Sequence, residues 1–374
     1  MKLFRFELKK LLFSKKTLAV LAVLAAFVIL LFVRNLTFQT QVEKAERQAI
    51  DAQVRTSQAN GRAHILLLEK DPDDEKQKEL QIVNLEIRDP LYDLAANFSH
   101  EDWKHNLEVQ NGILETTLTY KELGGESPLS VKEIERTIAQ NNEFLKRGIR
   151  PEHSAYSIAL PNFLQQIVSL WMYGGGLLLV LLLAGDILAS EYESQSVNLL
   201  FTQPIRKAQW LLSKLGAACI AYVLALFAAL ITAAAVSSLF GDKGSFRYPV
   251  LIEKDGSPAF SNLGVQLIEG IIITSVLALL VISLILLYSL YAKKTLPVLA
   301  AVLGTLGAGY GITKLFGTSI PSWLNPFLNL FSSDLLHLQN GRTWYEALPI
   351  TLVAAIVIVI AAVREVRKSY LRGG

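Results

Sequence analysis

Few residues in this chain are placed to make or break bonds. The apolar stretches hold no aspartate pair, no Ser–His or Ser–Lys set and no His-Glu-x-x-His run, the arrangements an intramembrane enzyme needs. A phosphate-cradling Gly-x4-Gly-Lys-Ser/Thr loop is also missing: Gly304, Gly307, Gly309 and Gly311 lie inside an apolar segment with no phosphate-facing lysine. His64, His100, His105 and His153 bring no third ligand at a recognisable spacing, and His100 and His105 fall on different helix faces. The expectation is solvated surface histidines and no metal. The polar residues that remain suit the relay of force or the lining of a passage. Glu191-Tyr192-Glu193 precede an apolar run, Val197–Phe201, and then Pro204-Ile205-Arg206-Lys207. Leu199, Leu200 and Phe201 have no reason to face water on a short loop and should bury against membrane, chain or partner. Glu269 is a charge inside an apolar segment, a functional candidate by default, with pairing to Lys314 as the plain alternative. Tyr288 is a second candidate for a passage wall. Gly174-Gly175-Gly176 and Gly307-x3-Gly311 permit close helix approach or a hinge.

The elements that position these residues follow from composition. Of 374 residues, 52% are hydrophobic and 18% charged, with a mean hydropathy of +0.36. Soluble domains run at about 45–50% apolar and about 25% charged, so a soluble enzyme and a disordered regulator are excluded. The single cysteine, Cys219, cannot form an internal bridge. A net charge of +3 gives no reason to expect nucleic acid. A helix crosses the bilayer in about 20 apolar residues, and six segments qualify: Thr17–Val33, Ile167–Leu183, Leu215–Phe240, Leu263–Tyr291, Leu296–Phe316 and Ala347–Val363. No small-x-small cleavage pattern follows Val33, so the first is expected to remain as a membrane helix.

Basic residues set the orientation. Met1–Lys16, Ala184–Lys214, Ala292–Thr295 and Arg364–Gly374 carry fifteen Lys/Arg against five acids, a surplus of +10 in a chain of net +3. Everything else is therefore −7. Both termini are expected on the cytoplasmic side of a bacterial plasma membrane. Asp186 and Lys214 fall at the inner boundaries and read as interfacial.

The chain divides into Met1–Val33 (an in-plane helix, Lys2–Phe13, and the first span), Arg34–Leu160 outside the membrane, and Pro161–Gly374 with the remaining spans. Sixteen Lys/Arg against twenty-two Asp/Glu make Arg34–Leu160 mildly acidic. Asp71-Pro72-Asp73-Asp74 reads as a capping acid followed by proline in the first turn, and Ser130-Val131-Lys132-Glu133 as a capping box. A small helical domain or hairpin stalk without a sheet is expected there, and Gln39–Ala63 has the pattern of an outward extension of the first span. Gly241–Asn262 reads as a polar loop. Ser319–Arg342, amphipathic but cut by Pro321 and Pro326, suits a helix lying in or dipping into the outer interface.

The loop Ala184–Lys214 resembles the coupling loop of ABC-2 type transporter permeases: two acids around one residue, a small-residue step, an apolar run, then Pro, a basic residue and a lysine entering the next helix. Glu191, Glu193, Ser196, Leu199, Leu200, Pro204, Lys207 and Lys214 fall in that register. Gln195, Gln203 and Ser213 depart from it; at Gln195 the family usually has glycine. Pro321-Ser322-Trp323-Leu324-Asn325-Pro326-Phe327 is similar to the family's outer re-entrant segment. The resemblance implies an all-α membrane protein of six spans that exports an amphipathic small molecule, peptide or ion. It implies pairing with a second permease copy or paralogue, and docking of each loop, through Glu191, Glu193, Leu199, Leu200, Phe201, Pro204, Arg206 and Lys207, into one of two cytoplasmic ATPase subunits. ATP and Mg would be bound by those subunits and no cofactor by this chain. The alternative is a membrane sensor whose outer domain, Arg34–Leu160, binds a ligand.

Overall fold

The computed structural model describes residues 2–153, 155–197, 206–254, 257–316, 319–331 and 343–368. Leu199, Leu200, Phe201 and Pro204 lie outside the described residues, as does the stretch 332–342 of the expected outer segment.

The chain opens with α1 (Lys2–Leu12), whose Leu3 packs on the membrane core while Phe6 stays exposed. Ser14 breaks it and caps α2 (Lys15–Lys70), accepting the Thr17 N–H at 3.1 Å. The 56 residues of α2 do not stop at Val33; at 1.5 Å per residue they extend about 84 Å. The sequence explains this length: from Lys15 to Lys70 there is no proline and one glycine, Gly61, and the stop comes at Asp71-Pro72. The first apolar helix therefore continues as the stalk of the domain 34–160, the expected outer domain.

On that stalk fold α3 (Glu75–Asn97), α4 (Trp103–Glu122) and α5 (Val131–Arg147). Asp74, not Asp71, caps α3, accepting from Gln77 N at 3.1 Å. The capping box of α5 forms as the spacing requires, Ser130 and Glu133 each bonding the other's backbone N–H, and Gly148 ends the helix in the left-handed region at φ 65°. Ile50 and Val54 of α2 pack against Leu80, Val83, Ile87, Leu91 and Leu94 of α3 and Ile113 and Tyr120 of α4. One histidine departs from the surface expectation. His64 is buried, with Nδ1 2.8 Å from Gln77 Oε1 and Nε2 2.6 Å from the Tyr120 hydroxyl, so both ring nitrogens are satisfied inside the domain.

The second span is α6 (Leu160–Leu170), a π-turn (Trp171–Gly175) and α7 (Gly176–Ala184), followed by the short α8 (Ala189–Glu193). After α9 (Lys207–Phe240) comes a hairpin, β1 (Pro249–Lys254) paired antiparallel with β2 (Ser257–Asn262), in place of the expected irregular loop. Glu253 on β1 forms ion pairs with Lys132 (3.2 Å) and Arg136 (3.3 Å) of α5, tying the hairpin to the outer domain. The last membrane helices are α10 (Leu263–Ala292), α11 (Thr295–Phe316) and α12 (Leu348–Lys368).

Among the described residues six helices or helix runs are long and apolar enough to cross a membrane, and α10 is the most enclosed of them. Helices in lipid gain little from hydrophobic burial and must approach closely to pack. In α9 the buried face is Ala217, Ala221, Ala225, Ala229 and Ala233, one every four residues, which brings α9 against α6 and α10. Between α11 and α12 the described part of the outer segment is no in-plane helix. Pro321 and Pro326 flank a three-residue 3-10 turn, Ser322–Leu324, and the chain folds back onto the bundle. There Asn325 donates to Thr313 Oγ1 (2.9 Å), Thr351 donates to Pro326 O (3.0 Å), and the Phe327 ring lies against Gly309.

Candidate functional site

At the membrane face that carries α1, three segments far apart in sequence meet around one buried ammonium. Lys214, two turns into α9, is 1% exposed. Its Nζ donates to Glu7 Oε2 of α1 at 3.1 Å, Glu191 Oε1 of α8 at 2.8 Å and the Ile187 carbonyl at 3.1 Å. An ammonium has three protons, and each finds an acceptor. Glu191 Oε1 also accepts from Lys10 Nζ at 2.7 Å. The four side chains balance in charge, two carboxylates against two ammoniums, as charges withdrawn from water require. Burial presses the Lys10 ammonium downward, but the Glu191 hydrogen bond and the charges of Glu191 and Glu7 outweigh it, leaving Lys10 above its ordinary 10.5. Trp210, fully buried one turn before Lys214, places its ring 5.6 Å from the same Nζ. Lys16 and Asp186 add a half-exposed pair at 2.6 Å nearby. Lys214 is thus held inside the protein, because its partners come to it there.

Glu193 makes a different connection. Its Oε1 accepts the Thr295 N–H at 2.7 Å, the first residue of α11, so a carboxylate from the loop occupies the positive end of the fifth span. The two acids of the Glu-Tyr-Glu run are separated by one residue and face opposite tasks. Glu191 joins α8 to α1 and α9, and Glu193 joins it to α11. Gln195, where glycine stands in the family pattern, takes φ 58° just past the end of α8. The backbone makes the left-handed turn that glycine would make freely. Ser194 and Ser196 hydroxyls then both donate to the Glu191 carbonyl, at 3.4 and 3.3 Å. Arg206 is exposed and Lys207 half-buried at the start of α9.

The remaining candidates are spread through the bundle. Glu269 in α10 is half-buried and hydrogen-bonded with Trp344, while the Lys314 ammonium lies over the Tyr310 ring, 5.6 Å from its centre. The Tyr288 hydroxyl is 2.6 Å from Thr305 Oγ1, linking α10 to α11. Gly174 sits at φ 132° within the π-turn, with the Phe331 ring where a Cβ would come within 3.1 Å. Gly175 and Gly176 continue that turn into α7. A Cβ at Gly307 or Gly311 would meet nothing within 4 Å among the described residues; Gly309 instead makes a close contact with the Phe327 ring.

Sequence reasoning passed over Glu7, Lys10 and Thr295. Glu7 carried one legible signal, being the lone acid in a strongly basic amphipathic segment.

Two acids of the loop between the second and third apolar helices thus fasten it to α1, α9 and α11. The sequence model of the ABC-2 family transporter proteins matches residues 1–364. The chain belongs to the ABC-2 transporter family. No curated protein and no solved structure gives a significant match. As an ABC-2 permease the chain is a multi-pass membrane transport component that is not itself catalytic, and permeases of this family work with a cytoplasmic ATPase subunit.

Proposed function

We propose that this permease is the membrane subunit of an ATP-driven exporter, with α1, α8 and both termini on the cytoplasmic side and an ATPase docked at the loop 184–214. The observation that carries this reading is the buried junction of Glu7, Glu191 and Lys214. A loop meant to pass on force must be stiffly attached to the elements it moves, and α8 is attached to three of them by charged hydrogen bonds. Displacement of α8 would then carry α1, α9 and α11 together. The positive-inside surplus supports the orientation. With Glu191 turned inward, docking contacts fall to the apolar run Leu199–Phe201, Pro204 and the basic pair Arg206-Lys207, while Glu191 and Glu193 transmit. Pairing of two permeases, two ATPases, and a small amphipathic, peptide or ionic cargo belong to the same reading.

The test is co-purification of the ATPase from native membranes with tagged permease. Leu200→Asp and Arg206→Glu should each lose the ATPase while the permease still elutes as a folded species. Lys214→Met combined with Glu7→Gln should retain the ATPase but uncouple its hydrolysis from cargo movement. Full retention of the ATPase in both loop variants would overturn the docking assignment.

A further inference from the structure

Two hollows on opposite sides of the π-turn share a wall. The first, about 820 Å³, lies where α2 leaves the membrane, between α6, α5 and the hairpin. Its lining combines amides, Asn162 and Gln165 among them, with the charged side chains of Arg34, Arg136, Glu152 and Glu253. Asn162 is 6% exposed; its Nδ2 donates to Glu152 Oε2 at 2.9 Å, but its Oδ1 has no hydrogen-bond partner among the described residues. Gln165, one turn further along α6 and so on the same face, likewise buries an Oε1 without a partner. Two buried acceptors left open on one wall are uncommon in a finished interior and ask for a donor.

The second hollow, about 630 Å³, is a groove between the membrane parts of the first and second spans, walled by Val23, Phe27, Leu178 and Leu182 and almost free of polar surface. Val23 and Leu178 keep well over half of their area exposed, so the groove opens sideways toward lipid. Leu170 and Tyr173 line both hollows. The break at Gly174 is what lets the α6–α7 wall bend between a polar end and an apolar end. Each volume falls within the range of about 300–1,000 Å³ usual for small-molecule sites.

We propose that the two hollows form one binding site for an amphiphile. Its chain lies in the groove between the first and second spans. Its head, bearing hydroxyl or ammonium donors, occupies the polar cavity against Asn162 and Gln165. Entry is sideways from the bilayer, through the opening at Val23 and Leu178. This gives the transport reading a cargo class, yet it concerns binding alone and stands apart from the coupling loop.

Trp171 lines the groove and reports on it. Purified permease in nanodiscs, without ATP or a partner, is titrated below the micelle concentration with chain-brominated twelve-carbon amphiphiles carrying a maltoside, ammonium or carboxylate head. Maltoside and ammonium probes should quench saturably, the quenched fraction should vanish in Trp171→Phe, and six-carbon analogues should bind far more weakly. Gln165→Leu should weaken the maltoside and ammonium probes about tenfold, the size of one hydrogen bond, and leave the carboxylate probe unchanged. If Gln165→Leu fails to fold, Gln165→Glu decides: it should shift preference toward ammonium over maltoside. Head-independent, unsaturable quenching, or unchanged head preference in the Gln165 variants, would overturn the site and leave the docking assignment untouched.

Discussion

Removing the ammonium of Lys214 should destabilise the permease more than any other single charge deletion on the face that carries α1. Lys214→Met deletes three hydrogen bonds and leaves Glu7 and Glu191 buried with Lys10 as their remaining cation. Their side chains are 4% and 8% exposed, so water cannot replace the lost partner. Breaking one member of a buried ionic group costs about 3–5 kcal/mol, most of it from the charge left behind. Glu7→Gln alone keeps Lys214 on Glu191 and should cost about 1.5–3 kcal/mol, the value of a hydrogen bond to a charged group. In the double variant the surplus negative charge is gone and Glu191 keeps Lys10. The double should therefore be more stable than Lys214→Met alone, which requires a coupling energy above the Glu7→Gln cost, about 3 kcal/mol. The assay is thermal unfolding in one fixed detergent, read by size-exclusion of the surviving species. Size scaling of about 2–4 °C per kcal/mol puts the Lys214→Met loss on the order of 10 °C. An unchanged midpoint in Lys214→Met, or a double variant less stable than the single, would refute the buried-charge reasoning.

Gln195→Gly should stabilise the end of α8 by about 1 kcal/mol, because a side chain at φ 58° carries a left-handed penalty that glycine lacks; slower amide exchange across residues 189–197 is the readout, and faster exchange would count against it. Gly174→Ala should be costly, about 1–3 kcal/mol, since the residue sits at φ 132° and its new methyl would meet the Phe331 ring at 3.1 Å. Gly307→Ala, facing open space within the chain, should leave the monomer's midpoint unchanged, and equal losses in the two variants would argue against that assignment. In the outer domain the hydrogen bonds from the Ser130 backbone and hydroxyl hold the Glu133 carboxyl below its ordinary 4.5. A depressed acid stabilises above its unfolded value and loses that contribution as pH falls through the folded one. Protection of the first turn of α5 should therefore decline below pH 4.5, and Glu133→Gln should flatten the dependence in a pH series of amide exchange.

Much of the architecture is local in origin and was readable from residue order. Apolar length determines the six spans, the surplus of Lys and Arg determines their expected sidedness, and Ser130 with Glu133 determines where α5 begins, because each involves neighbours or a solvent rather than a distant partner. The absence of a breaker before Asp71-Pro72 likewise foretells the outward run of α2, though not that it would form one side of the outer domain's core. Tertiary structure alone decided what the charges do. Lys214 and Glu7 are 207 positions apart and Glu191 and Lys10 are 181 apart, and no periodicity encodes such a meeting. Asn162 and Gln165, similarly, look like ordinary first-turn polar residues until the hairpin and the outer domain close around them and leave their oxygens without water. A polar side chain in sequence is only a valence; whether it is solvated, paired or left open depends on which distant segment excludes the solvent around it.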